Sequence, residues 1–122
     1  MSLAFSNITF DCADPLALAE FWASALDRTI GDRSDDTVAL PPSATGGPPL
    51  YFLRVPEPKT AKNRIHLDLV TSSRAGEVAR LVDQGATAVA EGDENGYRWT
   101  VLLDPGGNEF CVVEQAASDP AS

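Results

Sequence analysis

The stretch Asn63-Arg64-Ile65-His66-Leu67-Asp68-Leu69-Val70 alternates polar and apolar residues from Arg64 to Leu69 and carries the chain's single histidine. Period-two alternation marks a strand with one packed face and one wet face, because successive side chains point to opposite sides. Ser72 or Ser73 then offers a helix cap, Val78, Leu81 and Val82 follow as an inward stripe, and Gly85 closes the helix. Further strands are expected near residues 87–90, 97–103 and 108–114. The turn Asp104-Pro105-Gly106-Gly107-Asn108 joins the last two, the proline setting φ and the glycines accepting positive φ.

The first half repeats this order. Residues 5–12 read as a half-buried strand with Ile8, Phe10 and Cys12 on one face and Asn7, Thr9 and Asp11 on the other. Asp14-Pro15 supplies a cap and a first-turn proline, and Leu18, Phe21, Trp22, Ala25 and Leu26 recur at helical spacing. Strands are expected at residues 28–32, 37–40 and 50–55, with the proline- and glycine-rich loop 41–49 between the last two. Sliding one half over the other by 59 positions, the separation of Asn7 and His66, lays Asn7-Ile8-Thr9-Phe10 on His66-Leu67-Asp68-Leu69 without a gap. The economical account is an internal duplication of a β-α-β-β-β module, an α+β fold with modules at 1–58 and 59–115 and a flexible tail at 116–122.

Composition narrows the function classes. A chain of 122 residues, 43% hydrophobic, supports one compact domain overall. Nine basic against eighteen acidic residues give a net charge of −9, which repels a phosphate backbone and an anionic membrane surface. No nucleic acid and no membrane are expected as partners. With neither a leader-like opening nor an apolar run approaching the roughly 18 residues of a membrane span, a cytoplasmic location is expected. Cys12 and Cys111 stand far apart, outside any C-x-x-C pair, and are expected to be reduced thiols.

The stretches ADPLALAEFWASAL (residues 13–26) and DPGGNEFCVVE (residues 104–114), with IHLDLV between them, make the chain resemble the vicinal oxygen chelate superfamily. That superfamily includes glyoxalase I, fosfomycin-resistance enzymes, extradiol dioxygenases and bleomycin-resistance proteins. The resemblance covers nearly the whole chain. It implies two modules curling as half-barrels around a cavity, homodimers, and, in metal-dependent members, ligands on the first and last strands of each module. Carried onto this sequence, those ligand positions are Asn7, Phe52, His66 and Cys111, of which only His66 matches the family's residue type.

Divalent metals want two or three converging imidazole or carboxylate donors, and a neutral amide with a phenyl ring supplies neither. No resident metal or other cofactor is therefore expected; zinc on His66 and Cys111 would need Asp11, Asp68 or Glu109 to complete an incomplete ligand set. The favoured expectation is metal-independent binding of a small organic molecule in a cavity walled by Asn7, Asp11, Phe52, His66, Trp99 and Cys111. The alternative is an enzyme: a metal-dependent lyase, isomerase or dioxygenase, or a metal-free proton-transfer catalyst with His66 as base, oriented by Asp11 or Asp68.

Overall fold

The computed structural model describes residues 3–44 and 46–115. The backbone divides into two compact units, Met1–Lys59 and Thr60–Ser122. The tail expected at 116–122 lies outside the described residues.

In the first unit, β1 (Ile8–Cys12) leads into α1 (Pro15–Leu26), followed by β2 (Thr37–Leu40) and β3 (Leu50–Arg54). The strands form a sheet in the order β1-β3-β2, with β1 parallel and β2 antiparallel to β3. The helix starts where Asp14 Oδ1 accepts the Ala17 N–H at 3.1 Å with Pro15 in the first turn, and it stops at Asp27, whose φ of 55° is left-handed. Its buried face of Leu18, Ala19, Phe21 and Trp22 packs on the sheet face that carries Val38, Leu40, Leu50 and Phe52. Phe10 stacks on Phe52 with ring centroids 5.0 Å apart and meets Trp22 at 5.6 Å. Burying side chains of this size contributes about 1.5–3 kcal/mol each, so this aromatic cluster holds helix and sheet together.

The strand expected at residues 28–32 does not form. Gly31 N–H donates to Ala39 O at 2.9 Å and Ala39 N–H to Asp32 O at 2.8 Å, and a single bridge links Arg33 with Val38. Those contacts hold the segment beside β2 but are too few for a ladder, so among the described residues the first unit has three strands rather than four. Two described residues of the loop 41–49 are tied by Arg28, whose guanidinium donates to Pro48 O at 2.8 Å and Gly46 O at 3.1 Å.

The second unit runs β4 (Leu67–Val70), α2 (Arg74–Asp83), β5 (Thr87–Glu94), β6 (Tyr97–Leu103) and β7 (Glu109–Gln115), with sheet order β4-β7-β6-β5. β4 is parallel to β7, and the other pairs are antiparallel. β5 extends past the expected residue 90 because Asn95 and Gly96, at φ 54° and 82°, make a two-residue hairpin turn closed by the Glu94–Tyr97 pair. Leu81 of α2 is buried, as are Thr100, Leu102, Phe110 and Val112 of the sheet. Val82, expected to face inward, is 45% exposed: it follows Leu81 by one residue and is rotated about 100° off the packed stripe.

The β6–β7 turn is built on Asp104, which is 3% exposed. Its Oδ1 accepts the backbone N–H groups of Gly106 and Asn108, each at 2.9 Å, and Asn108 Nδ2 donates to both carboxylate oxygens. This turn sets where β7 begins, and hence which β7 residues face away from α2. Among the described residues no helix is long and apolar enough to cross a membrane.

Candidate functional site

Strand alternation puts Leu67, Leu69, Phe110, Val112, Thr100 and Leu102 on the α2 side of the second sheet and turns their neighbours to the opposite side. The register then aligns those neighbours: Asp68 faces Cys111 across β4–β7, Val101 faces Cys111 across β6–β7, and Trp99 faces Val113. The result is a pocket of about 380 Å³ lined by Trp99, Val101 and Val113 on the apolar side and by His66, Asp68 and Cys111 on the polar side, with Lys62 and Glu109.

His66 immediately precedes β4 rather than lying within the longer strand its alternation suggested. Its Nδ1 lies 3.0 Å from Asp68 Oδ1, with the side chains 41% and 58% exposed. A carboxylate only accepts, so Nδ1 carries the hydrogen, and in the neutral ring Nε2 is the acceptor turned to a ligand. Burial pushes the Cys111 thiol pKa above its ordinary value; the negative charge of Asp68 and a hydrogen bond to it act in the same direction, and Lys62 opposes them. Cys111 faces Asp68 across β4–β7, and its raised pKa makes it a poor nucleophile. Asp68 thus sits between an imidazole and a thiol, and possible metal-ligand atoms of all three residues lie within 4.8 Å of one another.

Three of the residues expected at the site, His66, Trp99 and Cys111, meet in this pocket. Asn7, Asp11 and Phe52 belong to the first unit. Asn7 is held locally, accepting from Ser6 Oγ at 2.9 Å and donating to Thr9 Oγ1 at 2.8 Å, while Asp11 is exposed on β1. Phe52 is no pocket wall: it is fully buried against Phe10 in the core, because its position on β3 points toward α1. Val101, Val113, Lys62 and Glu109 were missed as lining residues, although alternation from Cys111 along β7 and from Trp99 along β6 leads to all but Lys62. A larger hollow of about 490 Å³ in the first unit, beside Asp14, Arg33 and Arg54, is less suited to chemistry. There Asp14 caps α1, and Arg54 donates to the carbonyl oxygens of Ala13 and Asp35.

A family model described as a glyoxalase-like domain matches residues 7–113. The chain belongs to the glyoxalase-like domain family. Solved structures agree on the fold of this glyoxalase-like protein. A glyoxalase/bleomycin resistance protein/dioxygenase family enzyme from Burkholderia phytofirmans matches with a TM-score of 0.75 at 19% identity, over 90% of this chain and 97% of the other. A fosfomycin resistance protein from Listeria monocytogenes, complexed with Mn(II) and 1S,2S-dihydroxypropylphosphonic acid, matches with a TM-score of 0.76 at 13% identity, over 98% and 94% of the two chains. A glyoxalase-related enzyme from Fulvimarina pelagi gives 0.74 at 16% identity, over 93% and 89%. Comparison with curated protein sequences finds no match.

The residues at the superfamily's ligand positions do not fit a hard divalent ion in this glyoxalase-like domain. Phe52 offers only carbon and is sealed in the core. Asn7 offers a neutral amide oxygen already bonded to Ser6. Cys111 stands where the family has a carboxylate and offers sulfur, a soft donor that hard divalent ions do not favour. His66 alone keeps the donor type; with Asp68 and Cys111 it makes a mixed imidazole, carboxylate and thiol group with ligand atoms within 4.8 Å of one another, a set unlike the superfamily's.

Proposed function

We propose that this glyoxalase-like domain binds a small organic molecule in the second-unit pocket without a resident metal. The observation that carries this reading is the division of the lining: an apolar wall of Trp99, Val101 and Val113 faces a polar edge of His66, Asp68 and Cys111, with Lys62 and Glu109 beside it. Such a site buries a ligand's apolar body and offers polar groups, His66 Nε2 among them, to fix its orientation. A homodimer in the cytoplasm is part of the same proposal, supported by the superfamily resemblance and checked by solution mass.

The short His66–Asp68 contact favours a second reading, proton abstraction from a bound carbon acid by Nε2 with Asp68 holding the ring. The two readings share the pocket and differ in turnover. Screening aromatic and heteroaromatic compounds by thermal shift should raise the melting temperature, since binding to the native state stabilises it, and Trp99→Ala should abolish the shift. Unchanged ligand shifts in Trp99→Ala would remove the pocket from the account. Solvent-hydrogen exchange into a bound ligand, lost in His66→Ala and reduced in Asp68→Asn, would replace simple binding by proton transfer.

A further inference from the structure

Gly92 on β5 faces Trp99 on β6 in the antiparallel register, so the two positions share the pocket face of the sheet. The backbone at Gly92 lies outside the left-handed region, and a turn is not what requires glycine there. The requirement is space. A Cβ at position 92 would overlap Cζ2 and Cε2 of Trp99 and come within 2.6 Å of Nε1, all atoms of the indole itself. The indole therefore lies across β5 in the notch that the missing side chain leaves.

Strand order gives this contact its consequence. β6 sits between β7 and β5, so a ring laid over Gly92 leans away from Cys111 and Val113 of β7. The volume above Val101, Val113 and Cys111 is the pocket. An indole lifted off β5 by any side chain at position 92 would rise from the sheet and narrow that volume. We infer that Gly92 is the specificity-determining position of this pocket: by letting Trp99 lie flat it makes the indole a wall rather than a plug, and it admits a flat bicyclic ligand body where a standing indole would pass only a single ring. This inference rests on the reading of the pocket as a ligand site and names the ligand's shape class.

The test uses the full chain labelled with 5-fluorotryptophan, whose two resonances report Trp22 and Trp99 and are assigned with Trp99→Phe. In Gly92→Ala the Trp99 resonance should move and its solvent isotope shift grow, while the Trp22 resonance stays in place and shows the core intact. With 2-naphthol and phenol as probes, Gly92→Ala should weaken the two-ring probe about tenfold and the one-ring probe by less than about threefold, the scale of a steric change in a packed site. In a Trp99→Leu background Gly92→Ala should cost no further two-ring binding, because the added methyl no longer meets an indole. An unmoved Trp99 resonance, or undiminished 2-naphthol binding in Gly92→Ala, overturns the inference while leaving the pocket a ligand site. Wild-type protein that binds neither probe overturns the shape class together with the reading beneath it.

Discussion

Asp68 and Cys111 are direct partners across the parallel β4–β7 ladder, and the carboxylate that raises the thiol's pKa also lies 3.0 Å from His66 Nδ1. Asp68 is thus the shared neighbour of both groups at the polar end of the pocket. Its influence can be read chemically through the thiol.

In a Cys12→Ala background, Cys111 should react with iodoacetamide more slowly at about pH 8 than an unhindered cysteine, because burial and then Asp68 raise its pKa. Asp68→Asn removes the charge and should accelerate the reaction several-fold (~3–10) while burial keeps the rate below that of a free thiol. Equal rates with and without the Asp68 charge would dissolve the link. A folded-state thiol pKa that is raised binds protons more tightly in the native chain. Its stabilising contribution is complete below the unfolded value of about 8.5 and fades as pH climbs through the folded value.

Asp104→Ala leaves the Gly106 and Asn108 amide donors of a buried turn without their acceptor. A loss of about 2–4 kcal/mol is expected. Urea unfolding should show the midpoint falling with the slope unchanged, and Asp104→Asn should recover part of the loss. A midpoint shift under about 0.5 kcal/mol would mean the turn is held by Pro105 and the glycines alone.

Phe52→Ala should cost about 3–5 kcal/mol, the range for deleting a fully buried phenyl ring. Phe52→Glu, which puts a carboxylate at the superfamily's ligand position, should give a chain that fails to fold and not one that gains a metal, because the charge would enter an aromatic core. Circular dichroism and metal content on the same sample decide it.

Purified without a histidine tag and equilibrated with Zn, Ni, Mn and Fe(II), the wild-type protein should retain no stoichiometric metal after desalting, and His66→Ala should behave the same. Near one metal per chain in the wild type, absent in the mutant, would reverse the metal-independent reading and make Cys111 or Asp68 a ligand.

Arg28→Ala should release the loop 41–49 from its anchors at Gly46 O and Pro48 O. Limited proteolysis is expected to cleave that loop several-fold (~3–10) faster, since two charge-assisted hydrogen bonds oppose its local opening. Unaltered cleavage kinetics would assign the loop's order to its prolines.

Local patterns were the legible part. The α+β class, the two helices, the Asp104 turn and most strands follow from alternation, capping residues and breakers, each a property of a few neighbouring side chains. The cap expected of Ser72 or Ser73 is the exception: the Ser73 side chain makes no cap bond, and Arg74 N–H donates to Glu114 of β7 instead. The strand expected at 28–32 failed because alternation does not count hydrogen bonds, and the segment finds only a few partners along β2. β5 ran longer than read because Asn95-Gly96, a strong hairpin signal, went unused.

Sequence by itself determined the resemblance to the family and the departure from its ligand types at Asn7, Phe52 and Cys111, because residue identity at a position is all those conclusions need. Tertiary structure alone decided which residues meet. Parallel pairing sets Asp68 against Cys111 across a separation that no periodicity in either strand reports. The same holds for Phe52, which looks like a strand residue free to face either way until β3 lies under α1, and for Gly92, an unremarked glycine until the antiparallel register brings Trp99 over it. Sheet register is a long-range choice made by the packing of whole elements, and it is there that a row of side chains becomes a pocket.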